Sequence, residues 1–171
     1  MLLDDKTELI CSFTGHRPNA LPWRNIESGE RFNNFKQRLK ETIIQSINDG
    51  YTHFISGMAQ GIDLLVAEII LSIRKTNDKI FLECAIPCKN QTKSWDETMV
   101  NRYVNILDQA NLVTFVSYKE YFKGCMQMRN KYMVDKSSRL IAVYDGVRLG
   151  GTSSTIDYAK KTGVDVKIVA P

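Results

Sequence analysis

The stretch Ser56-Gly57-Met58-Ala59-Gln60-Gly61-Ile62-Asp63 decides the fold, because a strand ends in it and a helix begins. It follows the apolar run His53-Phe54-Ile55 and opens a segment with helical periodicity. A strand that stops at one glycine and enters a helix through a second leaves backbone N–H groups exposed at the helix N-terminus, where they bind anions. The turn therefore predicts a phosphate-binding edge on an α/β sheet.

Further glycine-containing turns follow other apolar runs of the chain. Gly150-Gly151-Thr152-Ser153-Ser154-Thr155 repeats the arrangement near the end of the sequence, and Thr14-Gly15 and Tyr144-Asp145-Gly146 follow two more runs. In parallel sheets the carboxyl ends of the strands share one edge, and ligands bind there near the switch in strand order. We therefore expect one pocket for a phosphorylated ligand, in which a single cleft is lined by Gly57, Gly61, Gly150 and Gly151.

The chain alternates strand-like and helix-like patterns from end to end, without a linker or a repeat. The strands are continuous apolar runs, as expected when both faces of a parallel sheet are covered, and the first is predicted over residues 8–13. The segments between them carry apolar residues every three or four positions, and the last helix is predicted over residues 153–161. The sequence thus predicts a single α/β domain over residues 1–171, a Rossmann-like three-layer sandwich with a mostly parallel sheet and the first strand central.

Composition restricts the class of protein. The chain has 171 residues, of which 43% are hydrophobic and 25% are charged, and a net charge of +4, all ordinary for a soluble globular domain. No apolar stretch approaches the length of a membrane span, and the N-terminus lacks the features of a signal peptide. The four cysteines show no spacing typical of a disulfide framework or a zinc site. We expect a cytoplasmic protein with no membrane partner.

The cysteines differ in their predicted surroundings. Cys11 and Cys84 lie inside predicted strands, where a cysteine behaves as a small buried hydrophobe. Cys88 and Cys125 lie near predicted loops, where a reactive thiol is the alternative to a buried one.

The first turn, Thr14-Gly15-His16-Arg17-Pro18, combines a flexible position with a charged side chain. Gly15 permits a sharp turn of the backbone, and Arg17 can offer a planar guanidinium to a phosphate. The alternatives are that Arg17 is a surface side chain and that His16 caps a loop. His16 and His53 are isolated in the sequence, so no metal site is predicted.

Other polar residues fall near the ends of predicted strands or early in predicted helices. Asp63 either binds a ribose hydroxyl or complements the helix dipole. Arg129 either clamps a phosphate or carboxylate or forms a surface ion pair. Asp145 either binds sugar hydroxyls or holds a turn, and Glu68 is interpreted as an exposed helix residue. No catalytic residue is assigned, and the predicted ligand-binding residues are Gly15, His16, Arg17, Ser56, Gly57, Gln60, Gly61, Asp63, Arg129, Asp145, Gly150, Gly151 and Thr152.

Several short motifs occur in order along the chain: Thr14-Gly15-His16-Arg17-Pro18, Ser56-Gly57-Met58-Ala59-Gln60-Gly61-Ile62-Asp63, Ala67-Glu68, Gln91 with Trp95, Arg129-Asn130, Met133-Val134-Asp135, Tyr144-Asp145-Gly146 and Gly150-Gly151-Thr152. They resemble the SLOG superfamily, which groups the DNA-processing protein DprA with the Lonely Guy phosphoribohydrolases, and more closely its YpsA-like branch. The second motif is close to the Ser-Gly-x-Ala-x-Gly-x-Asp string typical of DprA. The resemblance covers nearly the whole chain.

The resemblance implies a Rossmann-like sheet that binds a nucleotide or nucleotide-derived ligand. Lonely Guy enzymes resemble Pro-Gly-Gly-x-Gly-Thr-x-x-Glu at the third turn, and that Glu is needed for glycosidic cleavage. Here the run is Leu149-Gly150-Gly151-Thr152-Ser153-Ser154-Thr155, so Thr155 stands where the family has Glu. This difference argues against phosphoribohydrolase activity. The additional domains typical of DprA have no counterpart in the sequence, which disfavours a role in loading DNA.

Three hypotheses for the function follow. The leading one is a cytoplasmic domain that senses or binds a nucleotide, a nucleotide sugar or an NAD-derived compound. The first alternative is a hydrolase that cleaves an N-glycosidic or phosphate bond of such a ligand, with Glu68 or Asp145 as acid or base. The second is an accessory protein that binds single-stranded nucleic acid through a basic helix around Lys131 and the aromatic residues Tyr121 and Phe122. Superfamily members often form dimers or higher assemblies, so the resemblance allows a homo-oligomer.

Overall fold

Six parallel strands form one sheet in the order β4-β3-β2-β1-β5-β6, in a computed structural model that describes residues 9–171. Every neighbouring pair is parallel, so each connection between paired strands is a crossover. The predicted Rossmann-like α/β fold and the central position of the first strand are confirmed. The strands are β1 (Ile10–Gly15), β2 (His53–Ser56), β3 (Phe81–Ile86), β4 (Leu112–Phe115), β5 (Arg139–Val143) and β6 (Asp165–Val169).

Within residues 9–171, five α-helices connect the strands, together with one short 3-10 turn, Pro18–Ala20, after β1. The last helix begins at Gly150 and not at residue 153 as predicted. The physical reason is that the N–H groups of a first helical turn need no intrahelical acceptor, so two glycines are tolerated there. The glycine-rich turn is therefore the first turn of the helix itself. The helices are α1 (Glu30–Asn48), α2 (Ile62–Arg74), α3 (Glu97–Gln109), α4 (Cys125–Lys136) and α5 (Gly150–Lys161).

The alternation of side chains along β5 shows how the helices make three layers. All five residues of β5 are buried, because the strand lies inside the sheet. Ile141 and Val143 belong to the large core under α1, α2 and α3. Leu140 and Ala142 point to the other face, where they pack with Val134 of α4 and with α5. Since successive side chains of a strand face opposite sides, helices cover both faces of the sheet.

One polar cluster lies inside the α4 face of the sheet. Glu83 of β3 is only 3% exposed. Its carboxylate accepts hydrogen bonds from His53 Nε2 at 2.7 Å, from Tyr132 Oη at 2.6 Å and from Thr114 Oγ1 at 2.8 Å. Burial alone would raise the pKa of Glu83, but these hydrogen bonds outweigh it and lower the pKa. The cluster thus ties three strands to α4.

Burial decides the state of the cysteines. Cys11 and Cys84 are buried as predicted, and burial raises the pKa of Cys84 to about 12. Cys88 and Cys125 are fully buried as well, so the reactive-thiol alternative is wrong for both. Burial, followed by the neighbouring Cys125 thiol, raises the pKa of Cys88. Both side chains turn inward from their segments, which the loop pattern did not show.

Residue 8 of the predicted first strand and the N-terminal residues 1–7 lie outside the described residues. Within residues 9–171, none of the helices combines the length and the apolar character needed to cross a bilayer.

Candidate functional site

A cleft of about 350 Å³ opens at the carboxyl end of β1. In the strand order, β2, β3 and β4 follow one another outward on one side of β1. The chain then returns and places β5 next to β1 on its other side. Because the strand order switches there, the turns after β1, β2 and β5 and the side of α4 meet. Of the predicted residues, those that line the cleft are Gly15, His16, Arg17, Gln60, Asp63, Arg129, Gly150, Gly151 and Thr152.

Gly57 lies behind the cleft wall and does not line it. The guanidinium of Arg129 fills the space beside it, and Arg129 Nη1 donates to the Gly57 carbonyl oxygen. A Cβ on Gly57 would lie 2.6 Å from Cζ of Arg129, closer than packed atoms allow. Gly57 was predicted to let a ligand approach the backbone, and the structure corrects this, because the group that approaches is Arg129.

The turn after β2 is held by its own polar side chains. Ser56 Oγ donates to the carbonyl of Asp63 at 2.8 Å and accepts from the N–H of Met58 at 3.2 Å. The Asp63 carboxylate accepts from the N–H of Ala59 at 3.2 Å. Gly61 has φ +92°, and a side chain on it would press against the carbonyl of His16 at 3.1 Å. These residues shape the turn. Ser56 and Gly61, like Gly57, lie behind the residues that line the cleft.

Arg129 is a buried cation at the floor of the cleft. It is 3% exposed, and its Nη1 lies 3.7 Å from the Asp63 carboxylate. Burial lowers the pKa of Arg129, Asp63 raises it, and the nearby Arg17 lowers it again. An arginine stays protonated through such shifts, since its ordinary pKa is above 12. The alternative of a surface ion pair is therefore wrong, because both partners are buried.

Arg17, unlike the buried Arg129, has an exposed side chain. Its side chain is exposed at the cleft mouth, and within residues 9–171 the guanidinium has no hydrogen-bond or ion-pair partner. The backbone around it is fixed, since Pro18 opens the 3-10 turn and the N–H of Ala20 donates to the carbonyl of Arg17. The arrangement leaves a positioned cation with unused donors facing the cleft.

His16 and Asp145 form a pair at the rim of the cleft. His16 Nε2 lies 3.1 Å from Asp145 Oδ1, and the imidazole ring is 5.9 Å from the ring of Tyr144. Asp145 also accepts from the N–H of Val147 at 3.0 Å, and this bond, followed by that from His16, lowers the pKa of Asp145. His16 lines the cleft and Asp145 does not, so Asp145 orients His16 and holds its own turn.

The first turn of α5 also lines the cleft. Leu149 precedes the helix in an extended conformation, and no side chain caps the N-terminus. The position of a Cβ on Gly151 has no heavy atom within 4 Å, so there is open space beside the first turn of the helix. Uncapped N–H groups at a helix start carry partial positive charge and accept anions.

Neither Thr155, which stands where the Lonely Guy enzymes have Glu, nor the catalytic candidate Glu68 lines the cleft. Thr155 is buried, donates to the Gly151 carbonyl at 2.7 Å and accepts from Asn130 Nδ2 at 3.1 Å. Glu68 of α2 binds Arg102 through both oxygens, at 2.6 and 2.8 Å, and does not line the cleft. A hydrolase that works in this cleft cannot use Glu68.

Sequence reasoning missed part of the site. Gln127 lines the cleft from α4, and no motif or spacing marked it as a ligand-binding residue. Gln91 is buried behind the turn, where Nε2 donates to the carbonyl of Met58 at 3.1 Å. Its Oε1 has no partner among the described residues. The family resemblance included Gln91 among its motifs, but only the tertiary structure shows that it supports the turn.

Comparisons with known proteins agree with this architecture. A UPF0398 protein of Halalkalibacterium halodurans is 28% identical over 142 residues, which cover 80% of this chain and 75% of that protein. The SPbeta prophage-derived protein YoqJ of Bacillus subtilis is 33% identical over 141 residues, 73% of this chain and 82% of that protein. A UPF0398 protein of Bacillus thuringiensis is 26% identical over 156 residues, 90% of this chain and 84% of that protein.

A solved structure shares the fold. DNA processing protein A from Helicobacter pylori, described in a study of its single-stranded DNA binding mode, superposes with a TM-score of 0.59 at 18% identity. The match covers 94% of this chain and 64% of that one, so this chain spans less than two thirds of that protein. At this identity the likeness concerns the fold alone.

The family comparison covers almost all the described residues. The model for YpsA, described as the YspA SLOG family, matches residues 11–169, from the first residues of β1 to the last residue of β6. The match includes every turn that borders the cleft. The chain therefore belongs to the YpsA family of SLOG proteins.

Proposed function

We propose that the protein binds a nucleotide or nucleotide-derived ligand in the cleft and acts as a sensor or accessory protein. The observation that carries this proposal is the guanidinium of Arg17, which has no partner within residues 9–171 and lines the same cleft as the uncapped first turn of α5. A positioned cation and a row of free N–H groups suit a phosphate, which offers acceptor oxygens to both.

The charges around the cleft mouth support the binding of an anion there. Arg17 and Arg129 are close enough for Arg17 to lower the pKa of Arg129, so the two cations repel. Asp63 offsets only part of this charge, because its carboxylate also accepts from the N–H of Ala59. A phosphate at the cleft mouth offsets the repulsion, and the interaction gains strength from the low dielectric around the buried Arg129.

The remaining lining suits the neutral part of a nucleotide. The amide side chains of Gln60 and Gln127 and the hydroxyl-bearing Thr152 border the cleft. Amides and hydroxyls both donate and accept hydrogen bonds, as the edges of a base or a ribose require. The volume of about 350 Å³ lies near the lower end of the range for small-molecule sites, about 300–1,000 Å³. A mononucleotide is a ligand of the corresponding size.

Calorimetric titration with ADP, AMP, inorganic phosphate and adenosine at low salt tests the proposal. We expect ADP and AMP to bind and adenosine to bind much more weakly. Arg17→Ala should reduce ADP affinity about 10- to 100-fold, because a hydrogen bond to a charged group is worth about 1.5–3 kcal/mol. Its thermal stability should be unchanged, since the side chain is exposed.

Arg31→Ala is the matched control for the change in net charge. Arg31 is exposed on α1 and does not line the cleft, so ADP affinity should stay within about twofold of the wild type. The proposal is wrong if neither ADP nor AMP binds, or if both variants lose the same affinity.

Binding of single-stranded nucleic acid is the second candidate, favoured by an exposed aromatic patch. Tyr118 is 70% exposed and stacks on Phe115 at 5.4 Å, and Tyr121 is 63% exposed. The fold neighbour from Helicobacter pylori is described by its single-stranded DNA binding mode. Against this, Lys131 is already paired with Asp135 at 2.5 Å. Anisotropy of a labelled oligothymidine tests it, with a steep loss of affinity as salt rises as the expected sign.

A further inference from the structure

A groove of about 510 Å³ continues from the cleft between α4 and α5. It shares Gln127, Asn130, Gly150 and Gly151 with the cleft, so the two cavities meet over the first turn of α5. Beyond that junction the groove is bordered by residues that do not line the cleft: Lys131, Ser154, Thr155 and Tyr158.

The groove differs from the cleft in charge. Lys131 is the cation that lines it, and Lys131 Nζ is already bound to Asp135 Oδ2 at 2.5 Å. Tyr158 Oη donates to the other oxygen of the same carboxylate at 2.6 Å. The ammonium also lies 5.1 Å from the centre of the Tyr158 ring. The charge of the groove is therefore compensated, whereas Arg17 in the cleft has no partner among the residues that the structure describes.

The hydroxyl groups of the groove are also committed. Ser154 Oγ donates to the carbonyl of Gly150 at 3.2 Å, and Thr155 Oγ1 donates to that of Gly151 at 2.7 Å. The groups that remain available to a ligand are the side of the Tyr158 ring, the acceptor lone pairs of the hydroxyl oxygens and the exposed amide of Gln127. Such a surface suits an uncharged ring and sugar and gives no free cation to a phosphate.

We propose that this groove is a second subsite and that the ligand is a dinucleotide. Its first nucleoside lies in the cleft, its linking pyrophosphate crosses the first turn of α5, and its second nucleoside lies against Tyr158. The inference rests on the proposed function and names the ligand class of the same site. Arg17 and the first turn of α5 favour charge, whereas Gln60 and Thr152 in the cleft and the surface of the groove favour neutral groups on either side, as in a molecule with a central pyrophosphate.

The same charges disfavour a nucleic-acid strand as the occupant. A strand would carry a further phosphate past the second nucleoside, where it meets the Asp135 carboxylate. Lys131 already compensates the Asp135 carboxylate, so a strand phosphate there would add a negative charge that this lysine does not offset. A ligand that ends in a neutral ring avoids this cost.

The test compares ADP with diadenosine pyrophosphate and NAD, all titrated into the full chain at the same salt concentration. The two dinucleotides share the ADP moiety and add a second nucleoside to it. We expect at least tenfold tighter binding of a dinucleotide than of ADP. Because the added half lies in the groove, Tyr158→Leu should lower dinucleotide affinity far more than ADP affinity.

Ser154 gives a second variant that keeps the test independent of folding. Ser154 is exposed on α5 and lines only the groove, so Ser154→Leu fills the groove without disturbing the core. It should remove the dinucleotide advantage, and the matched Ser154→Ala should preserve it. A thermal denaturation of each variant shows that the fold is intact.

The outcomes separate this inference from the proposed function. If ADP binds and depends on Arg17, but dinucleotides bind no tighter and Ser154→Leu has no effect, the groove is not a subsite and the proposed function stands. If ADP and both dinucleotides all fail to bind, the proposed function and the inference fall together. If oligothymidine binds and competes with ADP more strongly than either dinucleotide, the ligand class is wrong.

Discussion

The guanidinium of Arg129 occupies the space that a side chain on Gly57 would need, and it donates to the Gly57 carbonyl. The two residues are 72 positions apart in the chain. This relationship explains why a strand-ending glycine is required here although it does not touch the cleft. Arg129 on α4 thus fixes the turn after β2. That turn places Ala59 and Gln60 in the lining of the cleft.

Replacement of Gly57 by alanine should destabilise the protein. The added Cβ would lie 2.6 Å from Cζ of Arg129, so the guanidinium would have to move away from its hydrogen bond to the Gly57 carbonyl and from Asp63. Overpacking of this kind costs about 1–3 kcal/mol. Urea denaturation followed by circular dichroism measures the loss.

Gly151→Ala is the matched control for that experiment. A Cβ at Gly151 has no heavy atom within 4 Å, and the residue lies in a helix, where alanine is favoured over glycine. Its free energy of unfolding should equal or exceed that of the wild type. Equal stability of Gly57→Ala and Gly151→Ala would contradict the account given for Arg129.

Glu83→Gln should destabilise the protein by about 3 kcal/mol, because breaking a buried charged network costs about 3–5 kcal/mol when a partner is removed and the isosteric amide keeps some hydrogen bonds. His53, Tyr132 and Thr114 all donate to the native carboxylate. Chemical denaturation at pH 7 provides the value. A loss below 0.5 kcal/mol, on the order of a typical surface substitution, would show that the network contributes little.

The lowered pKa of Glu83 predicts that the stability of the protein depends on pH. The pKa of Glu83 is lower in the folded protein than its ordinary value of 4.5, so the folded state binds this proton less readily than the unfolded state. The stabilisation is therefore complete above about pH 4.5 and is lost as the pH falls through the lowered pKa. Between pH 6 and pH 3 the wild type should lose more stability than Glu83→Gln. Parallel curves would contradict this assignment.

The cysteine thiols should be unreactive in the native protein. Cys11, Cys84, Cys88 and Cys125 are all buried, and burial raises the pKa of Cys84 to about 12, so the thiolate that reacts is scarce at pH 8. A colorimetric disulfide reagent should modify none of them quickly under native conditions and all four after denaturation. Rapid native modification of Cys88 or Cys125 would mean that this part of the chain opens readily.

The protein should release no free base from AMP at a rate expected of a phosphoribohydrolase. The hydroxyl of Thr155 is bound to the Gly151 carbonyl and to Asn130, so it does not replace a catalytic carboxylate. The loss of a positioned acid or base costs about 100- to 10,000-fold in rate. Chromatography of AMP incubated with the pure protein detects adenine. Rapid release that Asp145→Asn abolishes would support the hydrolase hypothesis instead.

Local patterns were sufficient for the kind and order of the elements, but not for all their ends or for the roles of the polar residues. Ser56, Gly57, Gly61 and Asp63 were predicted as ligand-binding residues, because a glycine-rich turn before a helix is typical of anion sites. Three of these support the turn from behind, and Asp63 lines the cleft while holding the turn and Arg129. A turn that binds a ligand and a turn that is clamped by a distant arginine have the same short-range sequence signal.

The sequence by itself determined the order of strands and helices along the chain, the parallel sheet, and the carboxyl edge of the sheet as the place where the turns meet. Apolar runs, helical periodicity and glycine positions depend on neighbours within a few residues, so they can be recognised in the chain. Only the tertiary structure decided that Arg129 is buried beside Gly57, that Arg17 lines the cleft without a partner within residues 9–171 and that a groove extends the cleft between α4 and α5. Those facts depend on packing between segments far apart in sequence, where burial and charge pairing are set by the whole fold.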